Sequence, residues 1–332
     1  MNSREEKRKR LREQIERRLN NQPEILLDFV KRLPTSRVSE ETSIDSYLYH
    51  VINFLDYYKK INNLEEIDFS EISLKSVNDY IDYLCTCNKK ELSDSYKQVI
   101  MSAIKHFIGF LEDENIIENP FSKKLQIKYH ERPIKDVVTL TNDELKEIFY
   151  RIDNGYGTDR QKKMNRKFRK RDKAFIMLFW NTGARLSEIV DLNIQDIDLD
   201  QQMIYVYMKG KGQYQYEKKF SIETKIALQE WLEERSSWLI NTDAVFISNR
   251  LTRITTRTGN NIVKRFSDGF NKKVTPHTFR RTYATNIYKV TENMADVTTA
   301  LHHKSRMTAE LYVPRDNDKI KDINSHMSLS FD

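Results

Sequence analysis

Cysteine is almost absent from this 332-residue chain: Cys85 and Cys87 are the only two, and a single residue separates them. That spacing suits no structural disulfide, and two thiols without further ligands do not make a zinc site, so free thiols in a reducing compartment are expected. Long apolar runs are missing too. No stretch approaches the roughly 20 residues that span a bilayer, and the charged N-terminus lacks the apolar core of a secretory signal. A soluble, cytoplasmic protein with no membrane partner is the expectation. Acidic residues are outnumbered, 49 against 56 basic ones, for a formal net charge of +7. This excess favours a polyanionic partner, but charge alone does not separate DNA from RNA or an anionic membrane.

The length suffices for two domains, each with its own core. Residues 4–18 hold eight basic and four acidic side chains in a helical pattern, which suits either a solvated, internally ion-paired helix or a contact with a DNA backbone. The apolar cluster Ile25, Leu26, Leu27, Phe29 and Val30 is expected to dock on the first domain. From Thr42, the residues Ile44, Tyr47, Leu48, Val51, Phe54, Leu55 and Tyr58 recur at helical spacing, as do Val77–Leu84 and Val99–Leu111. Such stripes are the core of a small helical bundle. Lys97 and Lys105 on the last of these helices can reach phosphates, although solvated lysines are the default.

Ser122 to Val138 carries Lys123, Lys124, Lys128, Arg132 and Lys135 with few helix signals and reads as an extended basic linker. Thr141 and Glu144 form a capping-box pattern that opens the second domain. Arg160–Lys173 then packs nine basic residues against one acidic one. This density predicts a flexible positive loop along a phosphate backbone, with Lys163, Arg166, Lys167, Arg169, Lys170 and Arg171 as contacts. The apolar Ala174–Trp180 run predicts a buried helix that delivers Thr182-Gly183-Ala184-Arg185 at its end. Ile204, Val206 and Met208 alternate with Tyr205 and Tyr207 as in a strand, and Lys218–Ile222 can return beside it. Lys209-Gly210-Lys211-Gly212 sits at the tip.

The last third holds His277 and Arg280 three residues apart, then His303, then Tyr312. A phosphodiester gains negative charge in its transition state, so fixed cations and donors must surround it. Arginine stays protonated and its planar fork matches two phosphoryl oxygens; histidine can donate or exchange a proton near neutrality. Tyrosine, with an ordinary pKa of about 10, needs a base or a positive field before it can attack.

Arg185, His277, Arg280, His303 and Tyr312, in that order and with Glu188 three residues after the first arginine, resemble the tyrosine recombinase, or phage integrase, family. The likeness runs from roughly Thr42 to Tyr312 and includes Asn119-Pro120-Phe121 and Leu140-Thr141. It implies a mainly α fold with a small antiparallel β-sheet. A helical, SAM-like core-binding domain (41–121) would follow a basic helical extension (1–40). A linker (122–138) would lead to a mixed α/β catalytic domain (139–315) and a tail (316–332). The tail, with Ile320, Ile323, Met327, Leu329 and Phe331, would either pack on a neighbouring protomer or fray.

The resemblance also implies a site-specific recombinase that cuts double-stranded DNA through a 3′-phosphotyrosyl link, as a homotetramer on paired sites, with no metal or other cofactor. Tyr312 would attack, Arg185, Arg280 and His303 would hold the phosphate, and His277 would help accept the proton. A hairpin lysine would protonate the leaving oxygen: ungapped counting from Arg185 selects Lys209, and the Gly-Lys-Gly signature selects Lys211. Two positions and one short stretch depart from the family pattern. His302 replaces the glycine before the second histidine, Arg281 replaces a histidine, and Gln-Tyr-Gln-Tyr-Glu replaces Lys-x-Arg after the hairpin tip. The competing readings are a catalytically silent DNA-binding regulator on the same fold and a type IB topoisomerase-like nicking enzyme.

Overall fold

Apolar stripes at three- and four-residue spacing become helices because each stripe finds another to exclude water with. The computed structural model describes residues 3–33, 41–87, 92–125, 137–207 and 215–302. The chain has the expected mainly α fold with one small antiparallel sheet, and it divides into two units, Met1–Pro133 and Ile134–Asp332. Among the described residues no helix is long and apolar enough to cross a membrane.

The first unit contains α1 (Ser3–Leu19), α2 (Glu24–Arg32), α3 (Glu41–Asn62), α4 (Leu74–Cys87) and α5 (Asp94–Asp113). Leu48, Val51 and Phe54 of α3 and Ile104, Phe107 and Leu111 of α5 are fully buried. Phe29 of α2 sets its ring edge-on to Phe107 at 5.2 Å, and Leu26 is buried beside it, so α2 belongs to this core; Leu27 faces out. α1 joins through buried Ile15 and by polar contacts: Arg18 Nε donates to Asp45 at 2.7 Å and Gln14 to the same carboxylate at 3.0 Å. Ser122–Leu125, the expected start of an extended linker, is folded onto this unit. Glu112 accepts from the Phe121 and Ser122 N–H groups at 2.6 and 2.7 Å and from the Ser122 hydroxyl at 2.5 Å, and Leu125 is buried. A carboxylate nine residues upstream thus supplies the acceptor that the local sequence lacks. Residues 126–136 of the linker, including Arg132, lie outside the described residues.

The second unit opens with α6 (Asn142–Asn154), whose capping box joins Thr141 and Glu144 and is reinforced by a 2.7 Å Lys272–Glu144 ion pair. Next come α7 (Asp159–Thr182) and α8 (Leu186–Val190), then a sheet of β1 (Ile197–Asp198), β2 (Met203–Tyr207) and β3 (Gln215–Lys219) in that order. The returning strand therefore ends near where sequence alternation places its start. Ile222 already belongs to α9 (Ile222–Ser236), which is followed by α10 (Thr256–Phe266), α11 (Pro276–Thr291) and α12 (Met294–Leu301). Phe175, Phe179, Trp231, Phe246 and Phe279 are fully buried, and the Trp231 indole donates to the Val245 carbonyl at 2.9 Å.

Arg160–Lys173, expected to be a flexible loop, is the first half of α7. Thr158 and Gln161 cap it, and Phe168, at φ −121° and ψ 21°, kinks it while tucking its ring against Trp238 at 5.5 Å. The charge density is tolerated because part of it turns inward. Arg171 is buried, donating to the fully buried Asp172 at 2.6 Å and to the Ile247 carbonyl at 2.7 Å, and Arg265 of α10 bonds the same carboxylate. Lys163, Arg166, Lys167 and Arg169 are exposed, whereas Lys170 is half-buried near Glu234 at 3.9 Å. Arg171 is therefore a core residue, not a surface contact. Asp172→Asn would leave two arginines without their counter-charge and is expected to lower the second unit's stability by about 3 kcal/mol. All three tryptophans, Trp180, Trp231 and Trp238, lie in that unit, so their fluorescence in a urea titration reads the loss directly.

Candidate active site

The site is built where α7 ends. Thr182 turns its hydroxyl onto the Leu178 carbonyl at 2.5 Å and accepts from the Ala184 N–H at 3.2 Å. Gly183 follows in the left-handed region at φ 55°, and a Cβ there would lie 2.3 Å from Tyr283 Cδ1. Both the backbone sign and the close ring require glycine. The turn delivers Arg185 as the residue that opens α8. Glu188, one turn on, accepts from its backbone N–H at 2.6 Å and from its guanidinium at 2.8 Å. Burial alone would raise the Glu188 carboxyl, but the Arg185 bonds outweigh it and hold the group ionised below the usual range.

α11 begins at Pro276, a residue suited to the first helical position, so His277 and Arg280 share one face of its first turns. Arg280 is 1% exposed and reaches across the site. Its Nη1 donates to the Gly183 carbonyl at 2.5 Å and its Nη2 to the Leu301 carbonyl at 2.7 Å. One guanidinium thereby ties the α7–α8 turn and the end of α12 to α11. His277 stands at the rim, exposed on one side. Lost hydration first, then the charges of Arg281, Arg280 and Arg185, lower its imidazole below the ordinary value. A cleft of about 380 Å³ joins these groups, lined by Arg185, Ser187, His277 and Arg280 together with Thr256 and Asn260 of α10. The neutral imidazole can accept a proton, and the two arginines can hold an anion.

Behind the cleft lies Lys218 of β3, 5% exposed, with Nζ donating to the Ala300 carbonyl at 2.7 Å. Its ammonium is pushed down to about 7 by burial first and by Arg280 and Arg185, against the opposing charge of Glu188. Tyr216, two residues earlier on the same face, stacks on His302 at 3.9 Å.

Of the residues read from sequence, Arg185, His277 and Arg280 come together. Lys209, Lys211, His303 and Tyr312 lie outside the described residues. Lys97, partly covered and 3.8 Å from Asp94, Lys105 and Lys124 belong to the first unit. Sequence reasoning missed Lys218, Tyr216, Thr256 and Asn260. The first two had a usable signal: Tyr216, Lys218 and Phe220 alternate with exposed Glu217 and Lys219, so a lysine occupies an inward position of a half-buried strand.

The family model described as the phage integrase family matches residues 139–319. Tyrosine recombinase XerC of Caldanaerobacter subterraneus subsp. tengcongensis is 25% identical over 333 residues, covering 93% of this chain and 88% of the relative. Tyrosine recombinase XerD of Oceanobacillus iheyensis is 26% identical over 302 residues, covering 89% and 95%. Among solved structures, the post-cleavage complex of XerH site-specific recombinase bound to palindromic difH substrate matches with a TM-score of 0.69 at 22% identity. That match covers 94% of this chain and 88% of the other, and it shows the fold.

Because Arg281 is the largest charge acting on His277, Arg281→Gln is expected to raise the imidazole's midpoint toward 6.5, as read by NMR titration of the ring protons. The lowered folded value means that this histidine costs the fold stability as pH falls through the unfolded value near 6.5. That loss should shrink in the variant.

Proposed function

Because this chain belongs to the phage integrase family, the tyrosine recombinases, we infer that it is a site-specific recombinase that breaks and rejoins double-stranded DNA through a covalent tyrosyl intermediate. The observation that carries the reading is the convergence of Arg185, His277 and Arg280 on one cleft, in the order and spacing that the family's chemistry needs. Tyr312 Oη attacks the scissile phosphorus, forming the P–O(Tyr) bond as the bond to the 5′-oxygen breaks. The tyrosine proton passes toward His277, whose lowered basicity keeps it neutral and able to accept near pH 7. The hairpin lysine, Lys209 or Lys211, protonates the departing 5′-oxygen. Arg185, Arg280 and His303 balance the charge on the non-bridging oxygens. Attack by a 5′-hydroxyl from a second duplex runs the same steps backward and releases Tyr312, so the bond energy is conserved and strands are exchanged.

The exposed basic face of α7, Lys163, Arg166, Lys167 and Arg169, is the surface we assign to the duplex backbone, with contacts indifferent to sequence. The first unit supplies the core-binding domain, and the working assembly is a homotetramer on paired sites.

A duplex selected by this protein from a random-sequence library, rebuilt as a nicked suicide substrate, tests the reading on a denaturing gel. Wild type is expected to leave a covalent protein–DNA adduct that Tyr312→Phe abolishes, and Arg280→Gln to slow adduct formation by about 100-fold or more. Tight, sequence-specific binding without an adduct would overturn the enzyme and leave a regulator. Relaxation of supercoiled plasmid without a paired site would point to a topoisomerase instead.

A further inference from the structure

Lys218 has no part in the chemistry above, yet its amine is buried beside the site, and its contact is specific. A helix leaves its last four carbonyls without partners in the helix itself. In α12 these belong to Thr298, Thr299, Ala300 and Leu301, and all four are met. The His302 N–H serves Thr298 and Thr299. The other two carbonyls take side-chain donors from elsewhere in the fold: Lys218 Nζ on Ala300 at 2.7 Å and Arg280 Nη2 on Leu301 at 2.7 Å.

The cap itself is strained. His302 sits at φ 49° and ψ 47°, a conformation that costs an L-residue roughly 1–2 kcal/mol and that glycine adopts freely. Its ring lies nearly parallel to that of Tyr216, at 28° and 3.9 Å between centroids. The register of β3 explains the pairing. Tyr216 lies opposite Val206 and Lys218 opposite Ile204, so both β3 side chains share the buried face of the sheet. One strand thus holds the cap by its ring and the turn beneath it by its carbonyl.

We propose that Lys218 is a positioning residue for the reaction: acting from β3 with Tyr216, it fixes the last turn of α12 and its His302 cap in register with Arg280. It also links the strand that follows the hairpin tip to the end of α12, so the two are held as one piece. The functional consequence rests on the recombinase reading; the structural one does not.

Lys218→Met removes the donor while keeping much of the stem, and Lys218→Arg restores a donor. In the full-length protein, the His302 amide of the Met variant is expected to exchange with deuterium about tenfold faster, while the buried amides of α11 keep their protection. On the selected suicide duplex, the adduct rate at saturating enzyme is expected to fall about 100-fold at an unchanged half-saturating concentration. Lys218→Arg should recover most of both. Unchanged exchange and rate in the Met variant would overturn the proposal. So would a slower reaction with unchanged His302 exchange, because Lys218 would then act on the DNA itself. Should the Met variant fail to fold, Tyr216→Leu, which removes only the stack, must show the same two effects or the proposal falls. If wild type forms no adduct, the recombinase reading fails, while the exchange measurement still decides the contact.

Discussion

The Arg280 guanidinium is the contact on which the second unit's site depends. It is buried, it leaves α11, and it bonds backbone carbonyls at Gly183 and Leu301. A charge in that position is costly to desolvate, and the fold offsets the cost because the same group bonds two chain segments at once. Gly183 must be a glycine for its carbonyl to be presented there, and Tyr283 closes over it. The α7–α8 turn that presents Arg185 and the last carbonyl of α12 are both tied to α11 by this one side chain. An arginine that only bound phosphate would sit on the surface; this one is built into the protein.

What could be read from the chain reflects what a linear pattern encodes. His277 and Arg280 are legible because residues three apart on a helix share a face, and Arg185 because the apolar run and the Thr-Gly-Ala ahead of it mark the end of a buried helix. The stripes of α3 and α5 are legible for the same periodic reason. Arg160–Lys173 misleads because charge density says nothing about which cation turns inward. Only the partners Asp172, Arg265 and the Ile247 carbonyl, brought there by the fold, decide that Arg171 is core. Ser122–Leu125 misleads likewise, since the Glu112 carboxylate that organises it lies on the preceding helix.

The three departures from the family pattern also acquire physical meaning. Arg281 acts on His277 through its charge, His302 occupies a conformation that favours glycine, and the altered residues after the hairpin tip include the ring that stacks on His302. Two of the three thus meet in space: the bulky cap and the aromatic strand residue face each other.

The helical state of residues 159–182 bears on the thermodynamics of association. A loop that must become ordered on a phosphate backbone spends conformational entropy, about 1–2 kcal/mol for each residue whose backbone is fixed. α7 meets no such cost, since its backbone is already set and its exposed cations stand at the spacing of a helix. Counterion release from a bound duplex would then appear as net free energy rather than being consumed by ordering the protein. α7 itself would then add no coupled-folding term to the heat-capacity change of binding.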